Sequence, residues 1–172
     1  MRLIGINVLK TSGLRRLAVV AALAAGSLLA LAVMPGCGLD CPTPEQKAYL
    51  NEAEEWAERT EAGMGELHTL LGEVESRPEL VLDEGWRGRL KRVLDELNYG
   101  HEEMMNVKVP AGVGEVHRAV VRVAETAMDA NELLWQGAVE VNAELTYEAA
   151  AKMNEGTHLL EEVGAATKRL CQ

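Results

Sequence analysis

A helical bundle that holds a pair of metal ions needs Glu-x-x-His on two helices and a further glutamate from each of the other two. This chain carries the motif once, as Glu155-Gly156-Thr157-His158, while Gly65, Asn98 and Gly114 stand three residues before His68, His101 and His117. One match among so many glutamates is close to chance, so Glu155 and His158 are weak candidates and no metal or other cofactor is expected. His101 and His117 are a second weak candidate pair, because both fall beside one predicted turn; His68 and His158 lie towards the other end. The plainer reading of His101 and His117 is two rim or partly buried histidines, each with a hydrogen-bond partner. Haem ligation by His101 with Met104 or Met105 lacks the Cys-x-x-Cys-His that would support it.

Covalent catalysis fares no better. There is no Gly-x-Ser-x-Gly, and after the first forty residues the single serine is Ser76, at a predicted helix end. Gly112 and Gly114 are spaced as in a phosphate-binding turn, but no strand pattern precedes them. No catalytic set emerges, and a non-enzymatic protein is expected. The glutamate runs (Glu52, Glu54, Glu55, Glu58; Glu161, Glu162) read as solvated helix faces, a weak cation-binding surface being the sharper alternative.

Charge is divided unevenly along the chain. Arg2, Lys10, Arg15 and Arg16 precede any acid, the first of which is Asp40. They are four of 17 basic residues, so thirteen remain against 27 acids and the segment after them carries about −14. Such a segment is unsuited to nucleic acid, which is bound through Lys and Arg contacts to phosphate. It is equally unsuited to lying flat on anionic lipid.

Behind the basic stretch, residues 17–34 form an uncharged apolar run of eighteen, followed by Pro35, Gly36 and Cys37. A basic segment, an apolar segment and a small residue before a processing point make an export signal, and Arg15 and Arg16 keep its start cytoplasmic. Val33-Met34-Pro35-Gly36-Cys37 resembles the lipobox of bacterial lipoprotein precursors, departing from it at Pro35, where a small or apolar residue other than proline is usual. The resemblance covers residues 1–37 and implies cleavage before a lipidated Cys37, with the remainder lipid-anchored on the extracytoplasmic side of the cell or outer membrane. An uncleaved apolar anchor is the alternative, since eighteen residues is near the lower limit for a span. Leu14, Ala18 and Val19 around the arginine pair fit a twin-arginine signal poorly.

Cys41 and Cys171 are the other two cysteines. With Cys37 lipidated they are left as a pair, and outside the cytoplasm such a pair is expected to form a disulfide. The bond would close a loop of about 130 residues, worth about 5 kcal/mol in the chain-entropy model. It also requires both ends of the domain to lie side by side, hence an even number of antiparallel helices. Two unpaired thiols near the termini are the alternative.

The helix count can be read independently. There is no Phe, and Ala, Leu, Val, Glu and Gly dominate, a helix-forming composition. Thr43-Pro44-Glu45-Gln46 combines an N-cap, a proline at the first helical position and a capping-box glutamine. Residues at three- and four-residue spacing then predict helices over about 44–76, 83–105, 111–141 and 146–170, with Asp83 capping the second and Asn142 stopping the third. Short connections make these neighbours antiparallel. An all-α, up-and-down four-helix bundle over 43–172 is expected, behind a leader (1–36) and a short tether (37–42). Small seam residues (Ala53, Ala57, Ala127, Ala138, Ala149, Gly156) predict close helix approach. Trp56, Trp86 and Trp135 are read as core or flank anchors; an exposed indole would mark a partner surface.

The functional expectation is a membrane-anchored envelope lipoprotein, with the membrane as partner through its lipid, no nucleic acid, and an envelope protein as a further partner. The alternative is a small ligand- or metal-binding periplasmic bundle of sensor or electron-transfer type.

Overall fold

The computed structural model describes residues 42–170. The expected leader and Cys37, Cys41 and Cys171 lie outside the described residues. Within them the chain forms four α-helices, α1 (Pro44–Ser76), α2 (Glu84–Met105), α3 (Gly114–Glu140) and α4 (Ala143–Arg169), with a 3-10 helix (Pro78–Leu82) between α1 and α2. They pack as the expected all-α antiparallel bundle.

α1 starts as its sequence dictates. The Thr43 N–H donates to Gln46 Oε1 at 2.8 Å, and the Gln46 N–H donates to Thr43 Oγ1 at 3.3 Å, so two donors at the helix start are satisfied reciprocally. Pro78 ends it by disfavouring helical backbone at Arg77, which takes φ −139 and ψ 80. The segment after Pro78 is more ordered than its sequence suggests. It winds into a 3-10 helix that buries Val81, and Arg87 Nε donates to the Val81 carbonyl at 2.7 Å. Asp83 caps α2 as expected, its Oδ1 accepting from the Trp86 N–H at 2.7 Å.

Two boundaries differ from expectation. α3 begins at Gly114, three residues later than the apolar pattern suggests. Pro110 to Val113 instead form a turn, closed by the Val113 N–H donating to the Pro110 carbonyl at 3.4 Å, and Gly112 adopts φ +90 there. Gln46 Nε2 pins this turn to the start of α1 by donating to the Ala111 carbonyl at 3.0 Å. Further on, Asn142 follows the end of α3 as expected but is also the N-cap of α4, its Oδ1 accepting from the Glu144 N–H at 3.0 Å, so α4 starts at Ala143, three residues earlier than expected. α3 is ended by Val141 in the left-handed region (φ 54, ψ 42), and the Asn142 N–H donates to the Gly137 carbonyl at 2.9 Å. That conformation costs a β-branched residue about 1–2 kcal/mol; packing of Val141 on the core offsets it.

The two-residue connection forces α3 and α4 together, and they are the most intimately packed pair of the bundle. Ala124, Ala130, Ala138 and Ala149 are buried, and a Cβ added to Gly137 would lie 2.7 Å from Thr146 Oγ1 and 3.2 Å from the Thr146 backbone nitrogen. The expected close approach is met at Ala138 and Ala149, while Ala127 and Gly156 are half-buried. The core has two parts. One, towards the α2–α3 turn, joins Tyr49, Trp56, Met104, Val120 and Val163. The other, towards the α1–α2 connection, joins Leu67, Trp86, Leu90, Leu134 and Ala149. Asn131 is also buried, and its Nδ2 donates to Asn98 Oδ1 at 2.7 Å across the α2–α3 interface.

Candidate functional site

Polar groups are drawn into the core at the end of the bundle that holds the α2–α3 turn. Tyr49, Ala53, Trp56 and Ala57 occupy one buried face of α1, because spacings of three and four return to the same side of a helix. That face meets the end of α2 and the start of α3, which carry His101 and His117. Trp56 Nε1–H donates to His101 Nδ1 at 3.2 Å, with the rings edge-on, centroids 5.8 Å apart. Tyr49 Oη and His117 Nδ1 are hydrogen-bonded at 3.1 Å, the donor set by the imidazole tautomer, and those rings too meet edge-on at 5.9 Å.

The first pair has a determined polarity. An indole N–H only donates, so His101 Nδ1 must accept and the ring proton of the neutral form sits on Nε2. His101 is 2 % exposed, and burial, which disfavours the imidazolium, pushes its pKa down to about 4. Burial also lowers the pKa of His117. The Tyr49 hydroxyl is pushed up to about 12, chiefly by burial and then by the Glu52 carboxylate, so it remains protonated through the neutral range. The arrangement holds both imidazoles edge-on to an aromatic ring of α1, with His101 neutral in the neutral pH range.

A consequence for stability follows from the sign of the His101 shift. The unfolded chain binds a proton at His101 below about pH 6.5, whereas the folded chain resists until about pH 4. Stability is therefore full above that window and falls on acidification through it, by on the order of 3 kcal/mol from this group. Glu73 and Glu103, held below the usual carboxylate range by hydrogen bonds from Arg89 and Arg59, also lose stability as pH falls, so the wild type alone does not isolate the imidazole. His101→Gln does. Its amide oxygen can accept from Trp56 without titrating, and the urea midpoint of the variant is expected to fall less than that of wild type between pH 6.5 and 4. Parallel curves would refute the assignment.

Beside the Trp56–His101 pair, an open groove of about 530 Å³ runs between α1 and the end of α2. Met104 and Val107 form its floor, Glu52, Glu55, Glu58 and Arg59 line one side, and Glu103 the other. Arg59 and Glu103 form an ion pair at 2.9 Å. The other three carboxylates are exposed, in keeping with the solvated face expected of that glutamate run.

No protein-family model, curated protein or solved structure matches this chain.

His101 and His117 are thus brought to one end of the bundle, but each is engaged by an aromatic residue of α1. Glu155 and His158 are both exposed on α4, and Glu155 makes an ion pair with Lys152 at 3.3 Å. Among the described residues no group of three or more His, Cys, Asp or Glu side chains is arranged to hold a metal ion. Cys37, Cys41 and Cys171 are outside the described residues. Trp86 is buried and donates through Nε1 to the Leu70 carbonyl at 3.1 Å. Trp135 is half-buried beneath the Lys91 ammonium, which stands 5.8 Å from its ring.

Trp56 is the core anchor expected from the sequence, whereas Tyr49 is not among the residues the sequence singles out. A signal was present, since Tyr49 and Trp56 are seven residues apart and flank Ala53 on the same face. The Asn98–Asn131 bond had no such signal, because an asparagine on a helix reads equally well as exposed.

Proposed function

We propose that this chain is an exported bacterial protein, anchored to the extracytoplasmic side of a membrane by lipid on Cys37, whose four-helix bundle is a non-enzymatic interaction or structural module. The observation that carries this reading is the order of residues ahead of the bundle: a basic start, the apolar run 17–34, and Cys37, with five residues separating Cys37 from Thr43. Among the described residues no helix is long and apolar enough to cross a membrane.

The bundle supports the cysteine pairing that goes with this reading. Gln46 at the start of α1 bonds to Ala111, and Arg169 at the end of α4 pairs with Glu115 at the start of α3. Leu170 packs on the same core cluster as Tyr49. The described chain therefore starts and finishes at the same end of the bundle, as a Cys41–Cys171 bond requires.

Substituting Cys37→Ala is the direct test of the anchor. Incorporation of a labelled fatty acid into the protein is expected to be abolished, and the protein to leave its membrane or accumulate as uncleaved precursor. Unchanged fatty-acid labelling would overturn the assignment of Cys37.

A further inference from the structure

The acidity of the bundle is not spread evenly over its length. Residues 42–170 contain thirteen Lys and Arg against 26 Asp and Glu. The end at which the described chain starts and finishes is formed by 43–51, 98–122 and 162–170, tied together by the Gln46–Ala111, Tyr49–His117, Arg122–Glu162 and Arg169–Glu115 contacts. These segments hold six of the basic residues and five of the acids, so this end carries +1 and the rest of the bundle −14.

At the tip of that end is the α2–α3 turn. From Asn106 to Gly114 there is no acidic residue. Lys108, Val109, Ala111 and Gly112 are exposed, Val109 to 39 %. Val107 and Val113 anchor the turn in the core from either side, and Gln46 holds its Ala111 carbonyl. A small apolar surface with one lysine is thus presented on a constrained loop.

We infer that this end of the bundle, led by Lys108 and Val109, rests on the headgroup surface of the membrane that holds the anchor. The inference builds on the Cys37 lipid anchor proposed above. The six Cα-to-Cα steps from Cys37 to Thr43 can span roughly 20 Å when fully extended, whereas α1 alone, at 33 residues, is about 50 Å long. The tether therefore keeps the tip close to the bilayer. Charge selects how the bundle stands there. Laying it on its side would press the −14 portion against anionic headgroups, while standing it on this end, which is neutral once Asp40 of the tether is counted, brings lysine and arginine to the lipid phosphates and small apolar side chains to the interface.

The test uses the full chain, processed and purified with its lipid, in phosphatidylethanolamine–phosphatidylglycerol vesicles containing a phospholipid with a photoactivatable headgroup. After flotation and irradiation, peptide mass spectrometry maps the adducts. Adducts on 106–113 are expected to exceed those on 78–83 and 140–146, at the opposite end, by about tenfold. A double variant, Lys108→Glu with Val109→Asp, is expected still to float but to lose most of the adducts on the turn. Protein that floats with adducts equal at both ends, or with turn adducts unchanged in the variant, overturns the docking while leaving the anchor intact. Protein that does not float overturns the anchor and the docking with it. Turn residues shielded in native membranes but unlabelled in pure lipid vesicles would assign the surface to a protein partner instead.

Discussion

Replacing Trp86 by alanine is expected to cost about 4 kcal/mol of folding stability, within the range for removing a buried aromatic side chain. The indole is 2 % exposed and packs in the core cluster with Leu67, Leu70, Val74, Leu90 and Leu94. It stands in the first turn of α2, where its own N–H is held by Asp83 and its ring reaches across to the Leu70 carbonyl of α1. Its loss opens a cavity at the junction where the 3-10 helix hands the chain from α1 to α2, and the helix-bound leucines around it cannot move far enough to close it. Trp86→Phe separates packing from hydrogen bonding. The ring is largely kept and only the indole bond is lost, at about 1 kcal/mol, because the Leu70 carbonyl keeps its place in the helix. Urea unfolding at neutral pH provides the measurement. An alanine variant within 1 kcal/mol of wild type would show that Trp86 is not the anchor of this junction.

Reducing the proposed Cys41–Cys171 bond is expected to cost about 5 kcal/mol in the chain-entropy model, because the closed loop spans nearly the whole bundle. Without the bond the unfolded chain regains the freedom of a loop of about 130 residues, while the packed helices change little. Non-reducing digestion followed by mass spectrometry should recover one peptide pair joined through these residues. Dithiothreitol should then lower the urea midpoint of wild type and leave Cys41→Ser/Cys171→Ser unmoved. Two free thiols in protein isolated under oxidising conditions would end the proposal.

Much of this architecture was legible because its signals are local. A capping threonine with proline and glutamine behind it, or an aspartate three residues before Trp86, acts through contacts within a single turn. Helical apolar spacing is likewise a property of one segment. The start of α3 was misplaced for the same reason. Ala111 and Val113 continue an apolar pattern, and nothing nearby announces that Gln46, 65 residues away in sequence, will hold the Ala111 carbonyl in a turn. Asn142 fills both roles that asparagine suits, stop and N-cap, and its second role brings the start of α4 forward to Ala143. Val141 makes the tight connection possible by taking a left-handed conformation that its side chain disfavours.

The sequence by itself determined the helix count, the starts of α1 and α2, the antiparallel order and the acidity of the domain. It also contains the leader pattern on which the proposed anchor rests. Tertiary structure alone decided that His101 and His117 would each be met by an aromatic residue from α1 and that Asn131 would be buried against Asn98. It also decided that six basic residues would collect at one end of an acidic bundle. The physical reason is range. Caps and periodicity act within a turn or two of one helix, whereas partners for buried polar groups and the summed field of dispersed charges exist only once distant segments share a face.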